Sequence, residues 1–226
     1  MNSKNLKKNN QDEVINRTGF YLVLEGVDFS GKTSLAKELV KKLEEIYGKE
    51  IVCHRKEPGN VGYGSKMRDI LFNDNLDDEK EVLAAKYMLM DRINNTSEVA
   101  QLLRENKIVI QERNFLTALV YNEATYKDEV KFIQEINKLS LKPDLLALVN
   151  ISDTILDYRI KNAEKERGKL DSYETYEKVS KRKKEYLKFP EYIDVILQND
   201  NKDSFETNIS MLVKLTEKYY TRSEIK

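Results

Sequence analysis

The sequence predicts an α/β domain: a mostly parallel, five-stranded sheet flanked by helices. Apolar segments of strand length alternate along the chain with segments of helical periodicity, which is the pattern of βαβ units. Some of these apolar segments run without interruption, which is typical of strands buried on both faces. The 226 residues are 40% hydrophobic and 35% charged, which indicates one core beneath an ionic surface. Ligands of such a domain bind beyond the carboxyl ends of the strands.

The first predicted elements occupy the amino-terminal quarter of the chain. Residues 1–17 are too polar to bury a core and predict a flexible tail, so we place the domain at 18–226. The apolar run over 20–24 predicts the first strand. Leucines at four-residue spacing predict a helix over 32–45, and a second short strand is expected over 51–53.

The remaining elements keep the alternation of helix and strand. Gly62 and Gly64 are predicted to lie in a loop that follows the second strand. Helical sequence also separates the third and fourth strands. The other predicted ranges, in chain order, are helices at 67–72 and 78–105, strands at 108–110 and 145–149, a helix at 178–187, a strand at 193–197 and a helix at 205–219.

Composition and charge exclude several classes of protein. Lysines and arginines number 39 and so do aspartates and glutamates, so a dedicated nucleic-acid binder is not expected. The basic run at 181–184 is predicted to be a solvated helix face. Cys53 is the single cysteine, which excludes a disulfide scaffold and favours a reducing compartment. No apolar run approaches the roughly 18 residues of a membrane span, and residues 1–17 lack the apolar centre of a signal peptide. We therefore expect a cytoplasmic location.

One segment matches the pattern G-x-x-x-x-G-K-[ST], and it lies between a predicted strand and a predicted helix, as the motif requires. Its residues are Gly26, Val27, Asp28, Phe29, Ser30, Gly31, Lys32 and Thr33. The glycines let successive amides point at one phosphate group, and the helix adds the positive end of its dipole. Lys32 reaches the β- and γ-phosphates, and the Thr33 hydroxyl ligates magnesium. The sequence therefore predicts a P-loop NTPase fold that binds ATP and Mg²⁺.

Further motifs follow this phosphate loop in order. They are residues 56–60 (KEPGN), the pair Asp91-Arg92, residues 112–117 (ERNFLT) and residues 167–171 (RGKLD). With the lead-in EGVD at 25–28, they resemble the thymidylate kinase (dTMP kinase) family, collinearly from about residue 19 to 197. The resemblance implies a transferase that uses ATP and Mg²⁺ to convert dTMP to dTDP in nucleotide biosynthesis. It also implies a homodimer, small-molecule substrates and a lid at about 161–172.

The resemblance assigns the acceptor site residue by residue. Asp28 would take the nucleoside 3′-hydroxyl, and Arg92 and Arg113 would hold the acceptor phosphate, which suits guanidinium forks. Thr117 and Tyr121 would line the sugar and base pocket, where a tyrosine crowds a 2′-hydroxyl and so favours deoxynucleotides.

Other substrate contacts are implied by position. Glu57 and Pro58 lie in the loop after the second strand, opposite the phosphate loop. Met88 stands where the family has a phenylalanine that stacks on thymine. Among the properties that the resemblance implies, this substitution affects the preferred base most.

The donor side and the chemistry are assigned in the same way. Arg159 would lie near the donor nucleotide. Glu112, in place of the family's aspartate, would help place magnesium through water. Lys32, Arg113 and Arg167 would be the catalytic residues. Some members carry a catalytic arginine where this phosphate loop has Phe29, so Arg167 in the lid would supply that charge.

Two alternatives remain open at the level of sequence. The Glu112-Arg113-Asn114 segment is close to the E-R-S motif of deoxynucleoside kinases, which phosphorylate a 5′-hydroxyl and need a carboxylate base; Glu57 could be that base. A nucleotide-binding relative without turnover is the other alternative.

Overall fold

Five strands form one parallel sheet in the part of the chain that the structure describes. The computed structural model describes residues 18–71, 77–121, 135–137, 140–168, 170 and 174–224. The strands are β1 (Phe20–Glu25), β2 (Val52–Lys56), β3 (Ile108–Glu112), β4 (Leu145–Asn150) and β5 (Val195–Gln198). Their order across the sheet is β2-β3-β1-β4-β5, so β1 is central. The predicted α/β class and five-stranded parallel sheet are confirmed.

Helices connect the strands. They are α1 (Lys32–Tyr47), α2 (Gly62–Leu71), α3 (Asp78–Arg104), α4 (Phe115–Tyr121), α5 (Asp153–Arg167), α6 (Tyr176–Tyr186) and α7 (Lys202–Glu224), with a 3₁₀ turn at Pro190–Tyr192. Within the described residues, no helix is long and apolar enough to cross a membrane.

Both faces of the sheet are covered by apolar side chains. Tyr21 and Val23 of β1 pack into a core on one face, together with Phe115 of α4. Leu22 of β1 packs on the other face with Leu39 of α1. Alternate residues of a strand point to opposite faces, and all six residues of β1 are buried. An uninterrupted apolar strand is the consequence of this double burial.

The start of α2 differs from the prediction. Gly62 and Gly64 lie in its first turn and not in a loop, so that prediction is wrong. Asp91 explains the earlier start, because its carboxylate accepts hydrogen bonds from the amides of Gly59, at 2.8 Å, and Gly64, at 3.1 Å. A Cβ at Gly64 would lie 2.3 Å from the Gly59 carbonyl oxygen, so this close approach requires glycine.

Helix α5 is absent from the sequence prediction. The Ser152 side chain caps its amino terminus by accepting a hydrogen bond from the Ile155 amide at 3.4 Å. Leu156, Ile160 and Ala163 form its buried face. The predicted lid at 161–172 therefore begins as the last turns of this helix, and Lys169 and residues 171–173 lie outside the described residues.

Two strand boundaries also differ from the prediction. β5 begins at Val195 and not at Ile193, because the Ile193 amide donates to the Pro190 carbonyl in the 3₁₀ turn at 3.3 Å. β2 extends to Lys56, where it pairs with Glu112 of β3. The predicted tail at 1–17 lies outside the described residues.

Candidate functional site

The phosphate loop leaves the carboxyl end of β1 and enters α1, as the sequence predicts. Phe29 and Gly31 have positive φ angles of 63° and 90°, which turn the chain sharply before α1 begins at Lys32. The helix therefore presents its free amide groups and the positive end of its dipole to the loop. This arrangement can cradle a phosphate group.

Lys32 folds back into the loop. Its ammonium donates a hydrogen bond to the Val27 carbonyl oxygen at 2.5 Å and lies 3.5 Å from Oγ of Ser30. Burial, with repulsion from Arg113 added to it, lowers the pKa of Lys32 to about 7, although Asp28 and other carboxylates oppose the shift. A bound phosphate would favour the charged ammonium, because a nearby anion raises the pKa of a lysine.

Two side chains contact the loop from outside. Arg159 donates from Nη1 to the Phe29 carbonyl oxygen at 2.9 Å. Asn199, directly after β5, donates from Nδ2 to the Ser30 carbonyl oxygen at 2.8 Å. Arg159 was singled out in the sequence, and its contact with a donor nucleotide stays a prediction. Asn199 was missed, because a polar residue after a strand has the signature of any turn.

Thr33 and Glu112 meet where β1 and β3 end side by side. The Thr33 hydroxyl donates to Oε2 of Glu112 at 2.5 Å, and Nε2 of His54 donates to Oε1 at 3.1 Å. Burial opposes ionisation of Glu112, but the hydrogen bonds from His54 and Thr33 outweigh it, so the pKa of Glu112 lies below its usual value. An ionised carboxylate beside a hydroxyl is an oxygen donor set that fits Mg²⁺.

Asp28, Arg113 and Tyr121 form a connected group beside the phosphate loop. Nη2 of Arg113 makes an ion pair with Oδ1 of Asp28, and the Tyr121 hydroxyl donates to Oδ2 of Asp28 at 3.0 Å. Burial alone would raise the pKa of Asp28, but Arg113, Lys32 and Tyr121 outweigh burial and hold that pKa at about 2. The group therefore carries fixed charges at neutral pH.

Arg182 of α6 joins this group. Its guanidinium carbon lies 4.3 Å from the centroid of the Tyr121 ring, and that of Arg113 lies 5.1 Å away, so both are placed for cation–π contact. Arg182 is buried. The prediction that 181–184 form a solvated face is therefore wrong for this residue. One buried position per helical turn within a basic run was the signal that could have found it.

Glu25, the last residue of β1, holds the start of α4. Its carboxylate accepts hydrogen bonds from the amides of Asn114, at 2.8 Å, and Thr117, at 3.1 Å. It also accepts from the hydroxyls of Thr117, at 2.6 Å, and Tyr186, at 3.1 Å. The predicted sugar-pocket residue Thr117 is thus fully buried and bound to Glu25. Glu25 belongs to the lead-in EGVD, but neither its contacts with α4 nor its hydrogen bond with Tyr186 was predicted from the sequence.

Arg92 lies at the centre of a buried polar network. Its Nε donates to Oε2 of Glu57 at 2.8 Å, its Nη2 donates to the Asn114 carbonyl oxygen at 3.0 Å, and its Nη1 contacts Oδ1 of Asn137. Oε1 of Glu57 accepts from Asn95 at 2.7 Å. Burial raises the pKa of Glu57, against the attraction of Arg92. The guanidinium of Arg92 is therefore engaged by protein groups, and its contact with a phosphate stays a prediction.

The other predicted substrate and lid residues lie at the edges of this region. The Pro58 carbonyl oxygen accepts from Nη1 of Arg68 at 3.1 Å. Met88 is half-buried on α3. Arg167 is in the last turn of α5, with 62% of its side chain exposed, and it forms an ion pair with Glu174 at 3.6 Å. The structure thus brings the phosphate loop, Glu112 and Arg113 together at the ends of β1 and β3. The side chain of Arg167, in contrast, points into solvent.

Comparisons with known proteins identify relatives for nearly the whole domain. The family model of thymidylate kinase matches residues 24–209. A probable thymidylate kinase of Methanococcus aeolicus is 31% identical over 208 residues, covering 88% of this chain and 96% of the relative. A thymidylate kinase of Wolbachia pipientis is 27% identical over 202 residues, covering 87% and 100%.

Solved structures share the fold. The thymidylate kinase of Ehrlichia chaffeensis superposes with a TM-score of 0.60 at 22% identity, covering 87% of this chain and 98% of that one. The thymidylate kinase of Candida albicans gives a TM-score of 0.65 at 19% identity, covering 90% and 94%. At these identities the likeness concerns the fold.

Proposed function

The chain belongs to the thymidylate kinase family, and we propose that it binds ATP at the phosphate loop and dTMP at the neighbouring group of Asp28, Arg113 and Tyr121. Its activity is the ATP-dependent phosphorylation of dTMP to dTDP, so it is a nucleoside monophosphate kinase. The site assignment rests on one observation: the phosphate loop and the group of Asp28, Arg113 and Tyr121 are in contact. Arg113 directly follows β3, and its Nη1 lies 3.3 Å from the carbonyl oxygen of Gly26, the first residue of the phosphate loop.

The acceptor side is proposed to work through charge and hydrogen bonding. The Arg113 guanidinium attracts the acceptor phosphate, and the Asp28 carboxylate accepts a hydrogen bond from the sugar 3′-hydroxyl. The ring of Tyr121 closes the sugar side. An acceptor phosphate oxygen is already anionic, so the step needs no strong general base and depends on positioning and charge stabilisation. Lys32, the loop amides and Arg167 supply the positive charge for the transferring group.

Thr33 and Glu112 would hold magnesium, directly and through water. When bound, the ion neutralises charge on the phosphate oxygens. The Thr33 hydroxyl and the ionised Glu112 carboxylate support this assignment, because hard cations select oxygen ligands. His54 orients the Glu112 carboxylate from the opposite side.

A homodimer is the proposed assembly. Large apolar side chains are exposed along one side of α3 at Leu83 (41% exposed), Met90 (43%) and Ile93 (53%). Because they recur at intervals of seven and three residues, they share one helix face, which a second copy of the chain would cover.

The composition supports two further parts of the proposal. The zero net charge of the sequence supports small-molecule substrates over nucleic acid, and the single Cys53 supports a cytoplasmic location.

Deoxynucleoside kinase activity is disfavoured by the state of Glu57. Both of its carboxylate oxygens accept hydrogen bonds from buried groups, namely Arg92, Asn95 and Gln111. A general base must be within reach of the hydroxyl that it deprotonates. Glu57 instead holds Arg92 in place.

A panel of phosphoryl acceptors tests the proposal. The purified chain, with ATP and magnesium, is incubated separately with dTMP, dUMP, thymidine and deoxyuridine, and ADP and phosphorylated products are quantified. We expect dTDP from dTMP, no dTMP from thymidine, and loss of turnover in Lys32→Met. Phosphorylation of thymidine would support the deoxynucleoside kinase alternative. Binding of ATP without ADP formation for any acceptor would support the relative without turnover.

A further inference from the structure

Two consecutive carbonyl groups of the phosphate loop are tied to the end of β5. Nη1 of Arg159 donates to the Phe29 carbonyl oxygen at 2.9 Å, and Nδ2 of Asn199 donates to the Ser30 carbonyl oxygen at 2.8 Å. The two side chains are themselves linked, because Nη2 of Arg159 donates to the Asn199 carbonyl oxygen at 2.9 Å. The loop is therefore held by side chains from α5 and from the residue directly after β5.

The direction of a carbonyl fixes the direction of the amide in the same peptide. A trans peptide is planar, and its C=O and N–H bonds point in opposite directions. Contacts that draw the carbonyl oxygens of Phe29 and Ser30 outward thus aim the amides of Ser30 and Gly31 into the loop, where the Ser30 amide donates to the Val27 carbonyl oxygen at 3.4 Å. The ammonium of Lys32 lies there, against the Val27 carbonyl oxygen. Inward amides and an ammonium are the groups that surround a bound phosphate.

Asn199 is a rigid support for this arrangement. Its amide donates to the Asn150 carbonyl oxygen at 2.9 Å, which continues the pairing of β4 with β5, and the residue is only 2% exposed. The orientation of its side-chain amide is determined, because a flipped amide would place Oδ1 against the Ser30 carbonyl oxygen. A Cβ at Gly31 would lie 2.4 Å from Nδ2, so glycine at 31 permits the approach.

We propose that Asn199 is a positioning residue for the donor nucleotide, which holds the Ser30 carbonyl outward and so keeps the Gly31 amide directed at the phosphate site before ATP arrives. The inference rests on the proposed function, which assigns the phosphate loop to ATP. Groups that are already oriented lose no freedom when the ligand binds. Asn199 therefore contributes to ATP affinity without contacting ATP, and it contributes nothing to the affinity for dTMP.

The chain offers a matched control in Asn208 of α7. It is buried to a similar degree, at 5% exposure, and its Nδ2 donates to the Gln198 carbonyl oxygen at 2.9 Å. Asn208→Ala therefore removes the same kind of buried hydrogen bond. Its acceptor is the carbonyl of Gln198, one residue before Asn199, so the substitution does not release the phosphate loop.

The experiment measures dissociation constants for ATP and for dTMP by calorimetry in the full chain, with the thermal unfolding midpoint recorded for each variant. We expect Asn199→Ala to weaken ATP binding about tenfold, the effect of one hydrogen bond, and to leave dTMP binding within about twofold. Asn208→Ala should leave both constants within about twofold while lowering the unfolding midpoint to a comparable extent.

Unchanged ATP binding in a folded Asn199→Ala variant would overturn the inference, and so would an equal loss of ATP and dTMP binding, which indicates a general structural defect. If Asn199→Ala does not fold, Asn199→Leu, which nearly keeps the size of the side chain, adds no charge and cannot donate to the Ser30 carbonyl, is measured with the same expectation. A wild-type chain that bound no ATP would overturn the proposed function as well, whereas the first two outcomes overturn the role of Asn199 alone.

Discussion

The hydroxyl of Thr33 and the carboxylate of Glu112 are joined by a hydrogen bond of 2.5 Å, although 79 residues separate them in the chain. The contact unites the start of α1 with the end of β3. Because both groups are oxygen ligands and Glu112 is ionised at neutral pH, the pair predicts how the enzyme responds to magnesium.

Glu112→Gln should raise the magnesium concentration required for half-maximal activity by about tenfold or more, because the amide keeps the shape of the side chain but removes its charge. The measurement is initial velocity against magnesium at saturating ATP and dTMP. Glu98→Gln, which alters an exposed carboxylate paired with Arg55, is the control. An unchanged magnesium requirement in Glu112→Gln would contradict the assignment.

Arg167→Ala should lower kcat by about a thousandfold and change the KM for dTMP much less, because a cation that contacts only the transferring group acts on the transition state. Steady-state kinetics with dTMP varied at saturating ATP measure both constants. Lys165→Ala, two residues earlier on α5 and also exposed, should leave kcat near the wild-type value. The idea fails if Arg167→Ala keeps its kcat.

Asp28 should make the stability of the fold sensitive to strong acid. Its pKa in the folded protein is about 2, below the ordinary value of 3.8, so the ionised form stabilises the fold above pH 4. That contribution is lost as the pH falls from about 4 through 2, where the folded-state carboxyl becomes protonated. About a third of the side chain is open to solvent, so we expect about 1–2 kcal/mol.

The comparison of wild type with Asp28→Asn by urea unfolding tests this. The difference in unfolding free energy should be largest above pH 4 and should shrink towards pH 2. Asp157→Asn, which alters a solvent-exposed ion pair with Lys161, should show little difference at any pH. A difference between wild type and Asp28→Asn that does not depend on pH would refute the assigned pKa.

Arg92→Met should destabilise the fold by about 3–5 kcal/mol, because it leaves the buried Glu57 carboxylate without its cation. Glu57→Gln in the same chain should recover part of that loss. A double-mutant cycle by chemical unfolding measures the coupling energy. The exposed pair Arg55 and Glu98 provides a control cycle, expected within about 1 kcal/mol of zero. A coupling as small as the control would show that Arg92 is not held by Glu57.

The strands and the phosphate loop were predictable because their signals are local. An apolar run such as that of β1 follows from burial on both faces, and the loop motif is a contiguous pattern. Boundaries were less predictable where a distant side chain determines them, as Asp91 does for the start of α2.

The interior of the candidate site was less predictable for the same reason. Glu25 and Arg182 are charged residues whose neighbours come from other elements. The motif that contains Glu25 does not show that its carboxylate holds the start of α4, and only helical spacing distinguishes the buried Arg182 from the other residues of its basic run. The use of Asn199 depends on its contact with the Ser30 carbonyl oxygen, 169 residues away in the chain, which no local pattern encodes. Local sequence patterns identify the helices and strands. The role of a buried polar side chain depends on its hydrogen-bond partners in other elements.

Glu25 and Gly26 are consecutive. The Glu25 side chain accepts hydrogen bonds from the amides at the start of α4, whereas Gly26 is the first residue of the phosphate loop. Any displacement of the end of β1 therefore carries the proposed donor and acceptor sides together. We therefore expect the distance between the proposed donor and acceptor sites to change little when the sheet moves. Closure of the predicted lid would then exclude water and bring Arg167 to the transferring group, but it would not have to set the distance between the two substrates.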